Sequence, residues 1–132
     1  QDDSSYGVFG QLFDGNGAKL GNEFLVNNYT SDEQSIPSVS VLPNNDFVVT
    51  WQSHVQDGSS YGIFGQRFDE NGEKVSVEFQ VNNFTSNTQS YTSVSGLSNN
   101  NFVVTWQGTG QDGSFFGIYG QLFNENGDKI GD

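Results

Sequence analysis

Along this chain, apolar and polar residues alternate in short runs, and the runs come back in a fixed order. Pro37-Ser38-Val39-Ser40-Val41-Leu42 alternates valine with serine, and Thr92-Ser93-Val94-Ser95-Gly96-Leu97 repeats the alternation. A period of two predicts a β-strand with one apolar face and one small, polar face. Phe47 to Gln52 and Phe102 to Gln107 share the run Phe-Val-Val-Thr-Trp-Gln, apolar on both sides and β-branched, as a strand in mid-sheet requires. Only four residues, Pro43 to Asp46 or Ser98 to Asn101, separate these two strands, so they form an antiparallel hairpin. A third strand is predicted at Tyr6 to Phe13, Tyr61 to Phe68 and Phe116 to Phe123, and a fourth at Glu23 to Val26 and Glu78 to Val81. Between them stand Asp14-Gly15-Asn16-Gly17, Asp69-Glu70-Asn71-Gly72 and Asn124-Glu125-Asn126-Gly127, whose last glycine suits a left-handed position closing a turn. No apolar period of 3.6 residues appears, and no helix is expected.

The order of runs recurs every 55 residues: between residues 1–55 and 56–110, 35 of 55 positions are identical without a gap. Such a period points to a solenoid, a propeller or a tandem array. The expected fold is all-β, built from tandem four-stranded antiparallel repeats resembling propeller blades. The 132 residues hold 2.4 periods, so the terminal units are expected to be incomplete. Residues 1–36 form a partial repeat with the third and fourth strands and a linker. Residues 37–91 form a complete repeat, and residues 92–132 a partial one with the first three strands. Small residues on the first strand favour the propeller, whose innermost strands crowd around an axis. Phe9, Phe64 and Tyr119 occupy one core position of the repeat, Trp51 and Trp106 another. Gly10, Gly65 and Gly120 recur in mid-strand, where glycine costs roughly 0.5–1 kcal/mol against alanine, and this predicts a bulge or a close approach. Gln11, Gln66 and Gln121 recur in the same apolar strand, and an amide bonded to the backbone of the adjoining unit accounts for them.

Charge and composition narrow the function. Sixteen acidic residues against four basic ones give a net charge of −12, which argues against a nucleic-acid partner, since phosphates are neutralised by clustered Lys and Arg. The same charge opposes anionic membranes, and no apolar stretch approaches the ~20 residues of a membrane-inserted span. Absence of cysteine excludes disulfides and thiolate metal sites. With one histidine, His54, replaced by Thr109 one repeat later, a nucleophile and base have little to draw upon, and no enzyme is expected. Glu23 and Glu78 recur, and paired carboxylates can hydrolyse glycosides, but nothing else in the repeat supports that chemistry.

The run Tyr61-Gly-Ile-Phe-Gly-Gln-Arg-Phe-Asp69, with Glu78-Phe-Gln-Val-Asn82 and Phe102-Val-Val-Thr-Trp-Gln107, resembles a tandem repeat of very large secreted or surface proteins of bacteria and of protists such as ciliates. Those proteins have adhesin-like or calcium-binding architectures. The resemblance spans the whole chain and implies an extracellular or cell-surface protein with a structural or adhesive role. It carries no biochemical activity. The expected partner is the protein itself, joined head to tail into a filament, with a closed ring as the alternative. A second function of another class is a carbohydrate-binding propeller assembled from several short chains.

Four sets of residues are candidate sites. Asn28-Tyr29-Thr30 and Asn83-Phe84-Thr85 are glycosylation sequons at the same phase of the repeat. Asp2, Asp57 and Asp112 recur in one loop, and Asp14 and Asp69 in a turn, and these could ligate calcium. Their spacing matches no dedicated calcium loop, and turn-forming aspartates bond their own backbone, so no cofactor is expected. Trp51, Trp106, Tyr6 and Tyr61 could stack on sugars, although aromatics in strands are more often core.

Overall fold

The computed structural model describes residues 6–131. Its first hairpin joins β1 (Phe9–Phe13) to β2 (Lys19–Leu25). A second sheet contains β3 (Gln34–Val41), β4 (Phe47–His54), β5 (Tyr61–Phe68) and β6 (Phe79–Gln80) in that order. A third contains β7 (Gln89–Gly96), β8 (Phe102–Gly108), β9 (Gly117–Phe123) and β10 (Lys129–Ile130), again in chain order. All three sheets are antiparallel, and the described residues contain no helix. The protein is all-β, with strands in the order that the periodicity dictates.

Register repeats along with sequence. Thr50 faces Gly65 and Trp51 faces Phe64, and one unit later Thr105 faces Gly120 and Trp106 faces Tyr119. Turn chemistry repeats too. Gly17, Gly72 and Gly127 have φ of 82°, 83° and 85°, each donating its N–H to residue i−3 at 3.0 Å. Only glycine takes that conformation without steric cost.

Several boundaries differ from the sequence expectation: β1 begins at Phe9 and not at Tyr6, β2 begins at Lys19 and not at Glu23, and β6 is confined to Phe79–Gln80. Strands β3 and β7 begin at Gln34 and Gln89, ahead of the valine–serine alternation, because a bulge interrupts the ladder between Ser35 and Ser38 and between Ser90 and Ser93. Ile36 and Tyr91 take up the extra residue at φ of 53° and 55°. Residues 92–132, expected to hold three strands, already carry a short fourth: Lys129 pairs with Phe123 and Ile130 with Leu122. In the first and third units the fourth strand starts at its lysine, upstream of the Glu-Phe pattern that marks it in sequence. In the second unit Lys74 makes only an isolated bridge with Phe68.

Strand β4, in the middle of the second sheet, is apolar on both faces because each of its faces meets a neighbour. Phe47, Val49 and Trp51 turn toward the first hairpin, where Val8, Val26, Leu12 and Phe24 cover them. Val48, Ile63 and Leu42 turn toward the third sheet and meet Val94, Val104 and Trp106. Thus β4 reads as a continuous apolar run, and no sheet could hold its core alone.

Candidate functional site

The feature built most consistently is the junction between successive units. Its first component lies where β7 runs beside β3. The N–H of Val94 donates to Ser38 Oγ at 3.3 Å and that of Gly96 to Ser40 Oγ at 2.9 Å. Thr92 Oγ1 donates to Thr50 Oγ1 at 3.0 Å, and the Tyr91 N–H donates to Gln52 Oε1 at 3.3 Å. Serines of one unit therefore satisfy backbone donors on the sheet edge of the next, where unpaired edges are otherwise a liability. The approach is close enough that a Cβ on Gly96 would stand 2.6 Å from the Val41 carbonyl oxygen. Small residues on the first strand are required by this contact.

An aromatic clasp forms the second component. Phe24 of the first hairpin lies 6.4 Å from Phe47 and 5.4 Å from Phe68 of the second sheet, ring centre to ring centre. One unit later Phe79 lies 6.0 Å from Phe102 and 5.2 Å from Phe123. The receiving rings stack at 5.1 Å and 10° in one case, 5.0 Å and 5° in the other. Each clasping ring also covers a mid-strand glycine. A Cβ on Gly10 would fall 2.5 Å from Phe24 Cζ, and one on Gly65 would fall 2.7 Å from Phe79 Cζ. The recurring glycine thus serves a close approach.

A polar latch completes the junction, set beside an asparagine that is bonded within its own unit. Asn27 and Asn82, both buried, accept the N–H of Val8 at 2.8 Å and of Ile63 at 2.7 Å. Their amides donate onward to the carbonyls of Tyr29 and Phe84 at 2.8 and 2.9 Å. Beside them, Lys74 donates to Asn28 Oδ1 and Lys129 to Asn83 Oδ1, each reaching from the following unit. Partial burial lowers the ammonium pKa of both lysines below 10.5, and the Glu78 carboxylate partly offsets this at Lys74. Glu78 also accepts the Asn28 N–H at 2.7 Å. Sequence reasoning gave Asn27 and Asn82 no role, although the pair Asn27-Asn28 recurs intact as Asn82-Asn83.

The candidates drawn from sequence fare differently. Asn28 and Asn83 are exposed, with the side-chain oxygen held by lysine. Asp14 Oδ1 accepts the N–H groups of Asn16 and Ala18, and Asp69 Oδ1 those of Asn71 and Glu73. Asn124 does the same in the third copy, so the position works as a turn former without needing charge. Asp57 accepts from Ser59 and Gln80. Asp112 accepts the Ser114 hydroxyl and N–H, which hold its carboxyl below 3.8. Asp2 lies outside the described residues. Among those residues, no three acidic or histidine side chains converge as a cation site would need.

The tryptophans correct the sugar-platform expectation. Trp51 is fully buried and Trp106 is 6% exposed, because both point into the junction clusters, leaving no indole face for a sugar. Tyr61 is half-buried, its hydroxyl donating to Glu33 at 3.1 Å, and its ring lies 4.9 Å from that of His54. Tyr6 is exposed. The core positions hold in part: Phe64 is buried, whereas Phe9 and Tyr119 are half-buried. The recurring glutamines need a second correction. Gln66 donates to the carbonyls of Arg67 and Ser76, and Gln121 to those of Leu122 and Ile130. Gln11 reaches Leu12 and Leu20 likewise. Each bonds the backbone of its own unit, tying third strand to fourth, because the adjoining unit packs by side chains.

Fold and junction together define a tandem β-sheet repeat whose units join face to face. Comparison with protein-family models, with characterised proteins and with solved structures yields no match.

Proposed function

We propose that this protein is a structural repeat array of the cell exterior, in which four-stranded units stack head to tail and present a long adhesive surface. One observation carries the reading: the aromatic clasp and the asparagine–lysine latch of the junction are built twice from the same positions. Phe24 and Phe79 play one part, Phe47–Phe68 and Phe102–Phe123 the other, and Asn28–Lys74 and Asn83–Lys129 latch them. A unit gives its neighbour one face and receives on the other, so the contact is heterologous and continues for as long as units are supplied. Paired sequons on exposed asparagines, and the resemblance to giant surface proteins, support the extracellular placement, with glycans on Asn28 and Asn83.

In a stack, nearest-neighbour junctions supply much of the stability. Chains carrying two, three and four copies of the repeat should therefore melt at successively higher temperatures. Equal melting temperatures along that series would refute the array.

Carbohydrate binding is the second reading, favoured by one feature of the third unit. Phe115, 89% exposed, stands at an open hollow of about 460 Å³ lined by Asn87, Thr109 and Ser114. Glycan-array binding that is lost in Phe115→Ala would favour this reading.

A further inference from the structure

Equivalent surfaces of the second and third sheets meet opposite fates. On the third sheet Val94 is 7% exposed, because the β3–β4 hairpin lies across it. On the second sheet its counterpart Val39 is 63% exposed and neighbouring Val41 66%. These valines floor a groove of about 350 Å³, walled by Leu12 and Phe24 of the first hairpin. Among the described residues, strand β1 borders the groove and pairs only with β2, whereas its counterpart β5 pairs with both β4 and β6. An uncovered apolar floor thus adjoins an unpaired strand edge.

We propose that this groove receives a β-hairpin made of the first and second strands of another repeat unit, the second strand pairing with β1 and the first lying over β3. The inference rests on the array reading and names the segment and the seat that join two units. The β4–β5 register sets the fit. Its pairs Phe47–Phe68, Thr50–Gly65 and Trp51–Phe64 become Phe opposite Phe13, Thr opposite Gly10 and Trp opposite Phe9. Phe13, 54% exposed where its counterpart Phe68 is wholly buried, gains a ring to stack on. An arriving serine reaches the N–H of Val39, as Ser38 reaches that of Val94. Beside Val41, whose counterpart Gly96 leaves no room for a Cβ, the arriving strand stands further off. The arriving Leu and Val occupy the places that Leu42 and Val48 fill at the existing junction, where they are 2% and 0% exposed. Main-chain pairing at an open edge supplies affinity, and alternate side chains supply specificity. An unrelated apolar partner would leave both the edge donors and the serine positions unmet.

A synthetic peptide of residues 34–54 tests this when titrated into the isotope-labelled protein. Amide signals of Phe9–Phe13 and Val39–Val41 should shift saturably, and hydrogen exchange along β1 should slow by about tenfold or more. Val39→Lys changes a solvent-facing side chain, so it should keep the native spectrum and lose the peptide response. A tethered version meets any failure of the free peptide to stay in solution. Residues 34–55 joined ahead of Gln1 should raise the melting temperature, and Val39→Lys should cancel the rise. Absence of shifts at about 1 mM peptide, together with no rise in the tethered chain, would overturn the assignment. Equal shifts from a peptide of scrambled order would do the same. Shifts at these residues on concentrating the protein alone would also overturn it, by making a whole second copy the occupant. Melting temperatures that climb with repeat number while the peptide fails would leave the array standing without this seat, and a bound peptide with flat melting would do the reverse.

Discussion

Replacing Gly65 by alanine puts the junction to a quantitative test. Gly65 lies in mid-β5 directly opposite Phe79. A Cβ there would stand 2.7 Å from Phe79 Cζ and 2.8 Å from Cε2, well inside the ~3.5–4.0 Å of a favourable carbon contact. The ring cannot simply swing away, because Phe102 and Phe123 hold it from the next unit at 6.0 and 5.2 Å. Forcing a methyl group into such a site costs about 1–3 kcal/mol. Alanine's smaller backbone entropy loss returns about 0.5–1 kcal/mol. The net expectation from these two terms is a loss of up to about 2.5 kcal/mol, centred on about 1.3 kcal/mol. Gly120 is the internal control. The same Cβ there meets Thr105 Cγ2 and the Val104 oxygen at 3.6 Å, an ordinary contact, and no ring covers it. Gly120→Ala should therefore be neutral or stabilising by up to about 1 kcal/mol. Urea unfolding of both variants reads the difference as a shift in midpoint at constant slope. In a Phe79→Leu background the Gly65→Ala penalty should shrink, since the obstructing ring is gone. Equal midpoint shifts for the two glycines, or an undiminished penalty beside leucine, would refute the clasp.

Two further outcomes follow from burial. Trp51→Ala removes a fully buried indole and should cost about 3–5 kcal/mol in the same unfolding assay; a loss below about 1 kcal/mol would place the side chain at the surface. Tyr61 tests the alkaline side. Burial, then its hydrogen bond and proximity to Glu33, raise its phenol above 10.0, so the unfolded chain releases that proton first and this source of stability is lost as pH rises past 10.0. Lys74 and Lys129, held below 10.5 by burial, act with the opposite sign but in wild type and Tyr61→Phe alike. The stability advantage of wild type over Tyr61→Phe should therefore narrow above pH 10.0, and a constant difference in pH-stepped urea unfolding would disprove the coupling.

Strand type, strand order and repeat equivalence were legible because each rests on local chemistry. Alternation of Val39 and Val41 with serine is a property of one strand, and the left-handed glycine after Asp14, Asp69 or Asn124 is a property of one turn. The run Phe47 to Trp51 announced a strand covered on both faces without saying what covers it. That was decided by stacking. Val39 and Val94 have the same neighbours in sequence, yet one is open and the other closed, because a hairpin from the preceding unit lies over only the second. Position 41 tolerates valine where its counterpart must be Gly96, for the same reason. The indoles, eligible by type as sugar platforms, became core once Phe47 and Phe102 were clasped by rings from 23 residues away. The asparagine–lysine latch joins residues 46 apart, a pairing that no local pattern encodes. A sequence specifies which faces are apolar and which backbones must bend; the partner of each face is fixed only when units meet in space, since burial belongs to the pair of surfaces and not to either strand alone.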